Sequence, residues 1–350
     1  MKKKQDAPQI SRQKPTLEQW TALYEVAENL KILAPWRALA DVDILLLELP
    51  GQNETVYCSI SGMAGMDYNI SIYPGTEAYL RLKRIIDQDA YQPELLMLEM
   101  DCLTCHFGSR EDVDPEDREV MKQLGLRFRG RNQWIYFRAM KPGHFPWYLD
   151  AGQAELLISA LQNVAMLCLC YMEGKLPVDF EAGETLLRFY DSKKELWMNA
   201  VVPMPQPKLE RSFHISDELL LPRLKKCPKT AVKLEVDSFY LPIHVQENKK
   251  SPPAGMYTTL LADRESGMIL DQHNAAPTDG DLLVAISMLI HYIEECGRPA
   301  AVYVRSEWMG ACLRSFCQEV GIKLVEGKGV PVVDGLIDEL MGILMMGLFR

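Results

Sequence analysis

The chain has 350 residues, of which 48% are hydrophobic and 25% charged, and its formal net charge is −10 at pH 7. These proportions are ordinary for a globular protein and leave room for two domains. The acidic balance repels phosphate backbones and therefore argues against non-specific nucleic-acid binding, although a local basic groove remains compatible with it.

The sequence predicts a soluble, cytoplasmic protein that is not bound to a membrane. Its amino-terminal segment, MKKKQDAPQI, is basic but lacks the apolar stretch of a secretory signal. The longest apolar segment, residues 156–172, is interrupted by Gln162 and Asn163, which disfavours a membrane span. The chain has nine cysteines, an odd number that indicates reduced thiols rather than a disulfide framework.

The first half is predicted to be an α+β domain with an antiparallel sheet, over residues 15–204, behind a polar and disordered tail at residues 1–14. Capping residues predict helix starts after Thr16, Asp114 and Asp150. The spacing of apolar residues predicts the remaining elements. These are a helix at 77–87 and strands at 43–49, 55–60, 68–73, 94–107, 126–129, 134–139, 186–190 and 195–201.

A proline-rich segment separates the two halves. Three prolines occur within residues 203–207, and such a run does not fit the interior of a helix or a sheet. We therefore predict a linker over residues 205–212 and a second domain over residues 213–350. The elements of this second half follow the order β-β-β-α-β-α-β-α, which predicts an α/β domain with helices packed on a mixed sheet.

The sequence MDCLTCH contains Cys102, Cys105 and His106 in the spacing that attaches a c-type haem. A zinc site or a redox dithiol would use the same two sulfur atoms. The surrounding residues alternate as in a strand, where positions three apart face opposite sides of the sheet. We therefore predict buried structural thiols at Cys102 and Cys105, with no cofactor and no metal ion.

A basic and aromatic segment follows the third predicted helix. Arg127, Arg129 and Arg131 alternate along the chain and precede Trp134 and Tyr136. Such a surface could bind an acidic or single-stranded ligand through Arg127, Arg129, Arg131 and Trp134. The alternative is an edge strand whose charges prevent pairing with other chains, and this is the reading that the pattern favours.

Two segments of the second half are distinctive: YTTLLADRESG at residues 257–267 and VYVRSEW at residues 302–308, which a helix and Gly321-Ile322 follow. With the element order, they make the second half resemble the ribonuclease H-like fold, and within it the core of retroviral-type integrases and transposases. The resemblance implies two divalent metal ions, Mg²⁺ or Mn²⁺, held by three carboxylates. The carboxylates at the matching positions are Asp237, Glu307 and one of Asp334, Asp338 and Glu339.

The whole chain also resembles a bacterial group of uncharacterised two-part proteins made of domains of unknown function. That resemblance implies an architecture and no activity. It is carried by short motifs in both halves, namely Trp20-x-x-Leu23-Tyr24, Pro35-Trp36, Tyr57-x-Ser59-Ile-x-Gly62, Tyr73-x-Gly75, Leu124-Gly125-Leu126-x-Phe128-Arg129-Gly130, Pro142-Gly143-x-x-Pro146-Trp147, Gly297-Arg298-Pro299 and Gly321-Ile322.

Two functions from different classes follow from these observations. The first is a non-catalytic binding or interaction module, for which a protein partner is compatible with the sequence. The alternative is a divalent-metal-dependent nuclease or phosphodiesterase that uses Asp237, Glu307 and Asp338. Because Trp308 and Met309 are bulky where the related enzymes have small residues beside the metal ions, the sequence favours the non-enzymatic reading and leaves the question of an enzyme open.

Overall fold

The computed structural model describes residues 13–87, 97–208, 219–246, 251–275 and 281–348. The chain divides into two compact units. The first comprises Met1–Pro142 and Pro146–Pro207, and the second comprises Gly143–Phe145 and Lys208–Arg350. The segment predicted as the linker, residues 205–212, lies partly outside the described residues, and so does most of the predicted tail.

The first unit is built on a seven-stranded mixed sheet whose strand order is β5-β4-β3-β2-β1-β6-β7. Its strands are β1 (Leu45–Glu48), β2 (Val56–Ser61), β3 (Asn69–Pro74), β4 (Cys102–Gly108), β5 (Trp134–Met140), β6 (Glu184–Asp191) and β7 (Leu196–Pro203). Its helices are α1 (Leu17–Leu33), α2 (Gly75–Asp87), α3 (Pro115–Gln123) and α4 (Ala151–Met172).

The prediction of a wholly antiparallel sheet in the first unit is wrong at one pair of strands. β1 and β6 are parallel, with Leu46 opposite Leu187, while the other neighbours are antiparallel. The chain reaches β6 only after α4, and a parallel pair needs such a long crossover connection. The sequence pattern of β6 is the same for either direction, so that the strand was predicted but its orientation was not.

Capping and core packing explain where the two long helices of this unit form. Thr16 and Gln19 make the predicted capping box at α1, and Asp150 and Gln153 make another at α4. By length and composition alone, α4 is long and apolar enough to cross a membrane. Leu157 and its neighbours on one face of α4 are buried in the core of the first unit, an arrangement compatible with a soluble protein.

Two of the predicted strands differ from the structure. Residues 126–129 are irregular and join no sheet. They lie between Gly125 and Gly130, whose φ angles of 70° and 103° do not fit a β-strand. Residues 97–99 form a helical turn, and the strand predicted at 94–107 begins only at Cys102. Residues 94–96 lie outside the described part of the chain.

The second unit is built on a five-stranded mixed sheet with the order β10-β9-β8-β11-β12, in which β8, β11 and β12 are parallel and the other neighbours antiparallel. Its strands are β8 (Lys233–Val245), β9 (Ala254–Asp263), β10 (Ile269–Ala275), β11 (Ala301–Val304) and β12 (Lys323–Glu326). Its helices are α5 (Leu220–Lys226), which the sequence did not predict, α6 (Asp281–Cys296), α7 (Glu307–Val320) and α8 (Pro331–Leu348). The predicted element order from β8 onward and the predicted mixed sheet are both confirmed.

Candidate anion-binding site

A concavity of about 970 Å³ opens in the first unit between α3, the turn after β4 and the loop that leads into β5. Six cationic side chains line it, and one carboxylate, that of Glu111, lies among them. The cations are Arg110, Arg118, Lys122, Arg127, Arg129 and Arg131, all of them exposed. A surface depression with this excess of positive charge is unusual in a chain whose net charge is −10.

The arginines of this concavity lack the carboxylate partners that other arginines of the chain have. Within the described residues, none of its five arginines forms an ion pair or a side-chain hydrogen bond. Lys122 lies 4.0 Å from the carboxylate of Glu119, at the limit of an ion pair. The guanidinium groups are therefore hydrated and able to contact an anion.

The other described arginines, with one exception, do have side-chain partners. Most are paired with carboxylates, as are Arg81, Arg84, Arg138, Arg223, Arg264, Arg305 and Arg314. Arg188 and Arg298 donate to neutral amide or backbone oxygens. The remaining arginine, Arg37, lines a second concavity beside the first. All described arginines without a side-chain partner thus lie on these two concavities.

The second concavity, of about 500 Å³, shares Arg131 with the first. Lys31 and Arg37 add positive charge to it, and Trp36 and Tyr68 add aromatic rings. The centroids of these two rings lie 5.2 Å apart in an edge-to-face arrangement. Because Arg131 lines both, the two depressions are adjacent, and we call them together the basic groove.

Burial alternates along the segment that carries the three arginines predicted as a ligand surface. Leu126 and Phe128 are half-buried, whereas Arg127 and Arg129 are exposed, as in extended backbone. The ring of Phe128 packs on Tyr24 with a centroid distance of 6.1 Å. This inward packing anchors the segment and leaves the two guanidinium groups on its outer side.

Phe128 also lies 6.1 Å from the ring of Trp134, which is half-buried at the start of β5. Lys31 is 5.3 Å from the centroid of Phe128, within the range of a cation–π contact. The floor of the larger concavity is therefore aromatic and its rim cationic. Of the residues predicted as a possible ligand surface, Arg127, Arg129, Arg131 and Trp134 all line it.

A buried ion pair fixes α3, which forms one wall of the groove. Two nitrogens of Arg138 on β5 contact the two carboxylate oxygens of Asp117 at 3.0 and 2.7 Å, and one of them lies 2.8 Å from Asp114. Asp117 and Arg138 are 6% and 7% exposed, so that this bidentate contact is shielded from water. Arg118 and Lys122, on the same helix, are held in place by it.

The two cysteines of the haem-like motif point to opposite faces of β4, as predicted. Cys102 packs in the smaller core of the first unit, and Cys105 packs in the larger one. Burial raises the pKa of both thiols well above its usual range. Burial and the nearby Arg138 lower the pKa of His106 to about 4, so that its ring is neutral.

In the second unit, the structure brings together two of the carboxylates that the sequence singled out. Arg305, which follows β11, lies 3.0 Å from Asp237 on β8 and 2.7 Å from Asp334 on α8. β8 and β11 are parallel, and their register places Glu235 opposite Tyr303, which carries Asp237 toward Arg305. Glu307, Asp338 and Glu339 are exposed.

A second buried carboxylate supports the start of α8. Glu235 is fully buried and accepts hydrogen bonds from the backbone amides of Val332 and Val333, at 2.9 and 3.3 Å. Arg264 lies 2.7 Å from the same carboxylate group. Among the residues that the structure describes, no three His, Cys, Asp or Glu side chains are grouped closely enough to hold a metal ion.

Sequence reasoning missed Arg37, Arg110 and Arg118 as parts of the groove and Arg305 as the partner of Asp237. One signal was available: Arg118 and Lys122 are four residues apart on a predicted helix and therefore share a face. The remaining residues, Arg37, Arg110 and Arg305, reach their positions through tertiary contacts between distant segments. No local pattern indicates such contacts.

Comparisons with known proteins agree with a chain of two parts. Residues 20–188 match the model of a domain of unknown function (DUF7309), and residues 220–341 match that of a second one (DUF6930). No curated protein matches the chain. The two matches support the two-part organisation that the sequence resemblance implied.

Among solved structures, the chain is similar to one chain in the cryo-EM structure of the simian T-cell lymphotropic virus intasome in complex with PP2A regulatory subunit B56 gamma. The identity is 17% and the TM-score 0.23, over 34% of this chain and 42% of that one. The chain therefore spans less than half the length of the structure it matches. A similarity this weak supports no conclusion about fold or function.

Proposed function

We propose that this two-part chain is a non-catalytic binding protein whose first unit takes an anionic ligand in the basic groove. One observation carries the proposal: the described arginines without a side-chain partner all line the groove, in a chain of net charge −10. Clustered like charges repel one another, and an anion in the groove relieves that repulsion.

The residue type also supports an anionic ligand. A guanidinium group offers a planar fork of donors that matches carboxylate and phosphate oxygens in two parallel hydrogen bonds. Four of the six cations that line the larger concavity are Arg127, Arg129 and Arg131 on one segment and Arg118 on the helix beside it. The ion pair between Arg138 and Asp117 holds that helix, so that part of the site is preorganised before a ligand binds.

The proposal is tested by binding of three labelled polyanions to the full chain: inorganic polyphosphate, a polyglutamate peptide and a single-stranded oligonucleotide. Replacing Arg127, Arg129 and Arg131 by Gln is expected to weaken the binding of any probe that binds by about tenfold or more. The matched control replaces Lys225, Lys226 and Lys328 by Gln. It removes the same charge at three exposed positions outside the groove.

The control is expected to lower the affinity by less than about threefold, through the weaker long-range field alone. If the two triple variants lose affinity equally, net charge and not the groove accounts for binding. If none of the three probes binds the unaltered chain, the proposal is overturned. A circular dichroism spectrum of each variant confirms that it is folded before its affinity is compared.

For the second unit, we infer a ribonuclease H-like topology. The support is the strand order, in which β8 is central, two antiparallel strands lie on one side and two parallel strands on the other. That arrangement is the one expected from the resemblance of residues 230–345 to the fold. It concerns architecture and assigns no reaction.

Metal-dependent nuclease activity is the alternative function, and the local chemistry weighs against it. A cationic guanidinium, that of Arg305, lies between Asp237 and Asp334 and already neutralises these carboxylates. Mg²⁺ or Mn²⁺ at the same place would meet the positive charge of Arg305. Glu307 and Asp338 are exposed, and the residues present do not fit a pair of divalent ions.

A nuclease assay with Mg²⁺ and with Mn²⁺ tests this alternative directly. We expect no cleavage of single-stranded or duplex DNA above that of the Glu307→Ala variant. Metal-dependent cleavage that Glu307→Ala abolishes would establish the enzyme. In either case the result is independent of the groove, which belongs to the first unit.

We also propose a cytoplasmic location, because the nine cysteines are free thiols and six of them are buried. A fusion to a fluorescent protein that stays in the soluble fraction would agree with this location. Recovery in a membrane pellet or in the culture medium would contradict it.

A further inference from the structure

We propose that the anionic ligand of the basic groove is a single-stranded nucleic acid that runs across both concavities. This inference rests on the proposed function and specifies its ligand. The first argument is size. Two depressions of about 970 and 500 Å³ that share Arg131 are large enough for an extended polymer.

The second argument is the spacing of the cations. Arg127 and Arg129 are two residues apart in a segment whose burial alternates with each residue. Extended backbone rises roughly 3.3 Å per residue, which puts the two Cα atoms about 6 to 7 Å apart. Successive phosphates of an extended nucleic-acid strand have a similar spacing, so that each guanidinium can contact one phosphate.

The third argument is that aromatic rings accompany the cations in each concavity. The larger one contains Trp134, and the smaller one contains Trp36 and Tyr68, all half-buried. Single strands are typically bound by a positive groove in which unpaired bases stack on such rings. An acidic peptide or polyphosphate has no base to stack. In a duplex the bases already stack on one another.

The inference is tested by fluorescence anisotropy on the full chain with four probes. They are single-stranded DNA and single-stranded RNA of about 12 nucleotides, a size near that bound by one small domain, a DNA duplex of the same length, and a polyglutamate peptide with the charge of the single strands. We expect both single strands to bind about tenfold more tightly than the duplex or the peptide at about 0.15 M salt.

Trp134→Ala is expected to weaken single-strand binding by about tenfold and to leave polyglutamate binding unchanged. Trp134→Phe keeps a ring and is expected to restore most of the affinity. It serves as the second variant if Trp134→Ala does not fold. Quenching of tryptophan fluorescence by the oligonucleotide reports stacking independently of any variant.

Replacing Arg127, Arg129 and Arg131 by Gln is also expected to change the salt dependence. The slope of log affinity against log salt should become shallower by about 2, since each phosphate contact of a single strand contributes roughly 0.7. An unchanged slope would mean that these arginines do not contact the phosphates, and the inference would be wrong.

The outcomes separate this inference from the function on which it rests. Equal binding of all four probes, or tighter binding of the duplex or of polyglutamate, overturns the single-strand inference and leaves an anion-binding groove. The single-strand inference is also overturned if neither Trp134→Ala nor Trp134→Phe changes the affinity for single strands and if the oligonucleotide quenches no tryptophan fluorescence. Binding of none of these four probes overturns the single-strand inference, and it overturns the proposed function as well if inorganic polyphosphate also fails to bind.

Discussion

Two regions of this chain, the basic groove of the first unit and the surroundings of Arg305 in the second, place arginine in opposite environments. In the first unit, Arg127 and Arg129 are exposed and have no carboxylate partner among the described residues. In the second, Arg305 contacts Asp237 and Asp334 at 3.0 and 2.7 Å. The role of an arginine in this chain therefore depends on its surroundings and not on the residue type alone. An arginine between carboxylates stabilises a fold, and a group of hydrated arginines is available to a ligand.

The same comparison shows that net charge does not describe the local charge of a surface. The formal net charge of −10 is a sum over the whole chain. The acidic residues beside Arg138 and Arg305 neutralise those arginines, whereas the groove concentrates cations against the overall sign. A local field over a concavity decides which ions approach it, because exposed charges act over about 8 Å at physiological ionic strength.

Among the variants that test this comparison, Arg305→Ala is expected to change the free energy of unfolding most. The substitution leaves Asp237 and Asp334, whose side chains are 6% and 30% exposed, without the cation between them. Removing one partner of a largely buried ion pair is expected to cost about 3 kcal/mol of the free energy of unfolding. Urea titration followed by tryptophan fluorescence and far-UV circular dichroism measures the loss.

Arg314→Ala is the matched control within the same unit. Arg314 pairs with Glu326 at 2.8 Å, but its side chain is 56% exposed. An exposed pair contributes about 0.5 kcal/mol or less. Equal losses in the two variants would show that the contacts of Arg305 matter no more than those of a surface arginine.

A second effect on stability, no larger than that of Arg305→Ala, is expected from pH, through His106 in the first unit. In the folded chain, burial and Arg138 lower the pKa of His106 from 6.5 to about 4. Between these two values the unfolded chain therefore binds more protons than the folded chain. The free energy of unfolding is expected to fall by about 3 kcal/mol as the pH is lowered through this window.

His106→Gln is expected to flatten that dependence of stability on pH, measured by urea titrations between pH 4 and pH 7. His291→Gln is the control, since the side chain of His291 is 67% exposed and lies 3.5 Å from the exposed Glu295. A slope that survives in His106→Gln would assign the acid sensitivity to other groups.

The smallest change in the free energy of unfolding is expected from substitutions in the basic groove. Replacing Arg127, Arg129 and Arg131 by Gln removes no ion pair among the described contacts. We expect the free energy of unfolding to change by about 0.5 kcal/mol or less, or to rise slightly as repulsion is relieved. A loss comparable to that of Arg305→Ala would make these arginines structural and would remove the contrast between the units.

Much of the fold could be predicted from local signals in the sequence. In the second unit, the predicted order of strands and helices from β8 onward is present, and the ends of α7 show why: Ser306 caps the helix and Gly321 ends it with a φ of 79°. The helix starts at Thr16 and Asp150 follow from the same short-range chemistry. Such signals depend on residues three or four positions apart, which a single sequence displays directly.

The site could be predicted only in part, because it depends on contacts between distant segments. The alternation of Arg127, Arg129 and Arg131 indicated a basic surface, but the favoured interpretation as an edge strand was wrong, since residues 126–129 join no sheet. The convergence of Arg37 with Arg131, and of Arg305 with Asp237, depends on packing across the sequence. No spacing rule reveals such pairs.

The buried cysteines have a consequence for handling and ageing of the protein. Six thiols are buried, and burial raises the pKa of Cys58, Cys102, Cys105 and Cys168. Oxidants react with thiolates at the surface, so that these buried thiols are protected in the folded chain, whereas Cys296 is exposed. Once a unit opens, the thiols ionise and can form mixed disulfides that no longer fit the core, and a reversible opening becomes permanent damage unless a reductant is present.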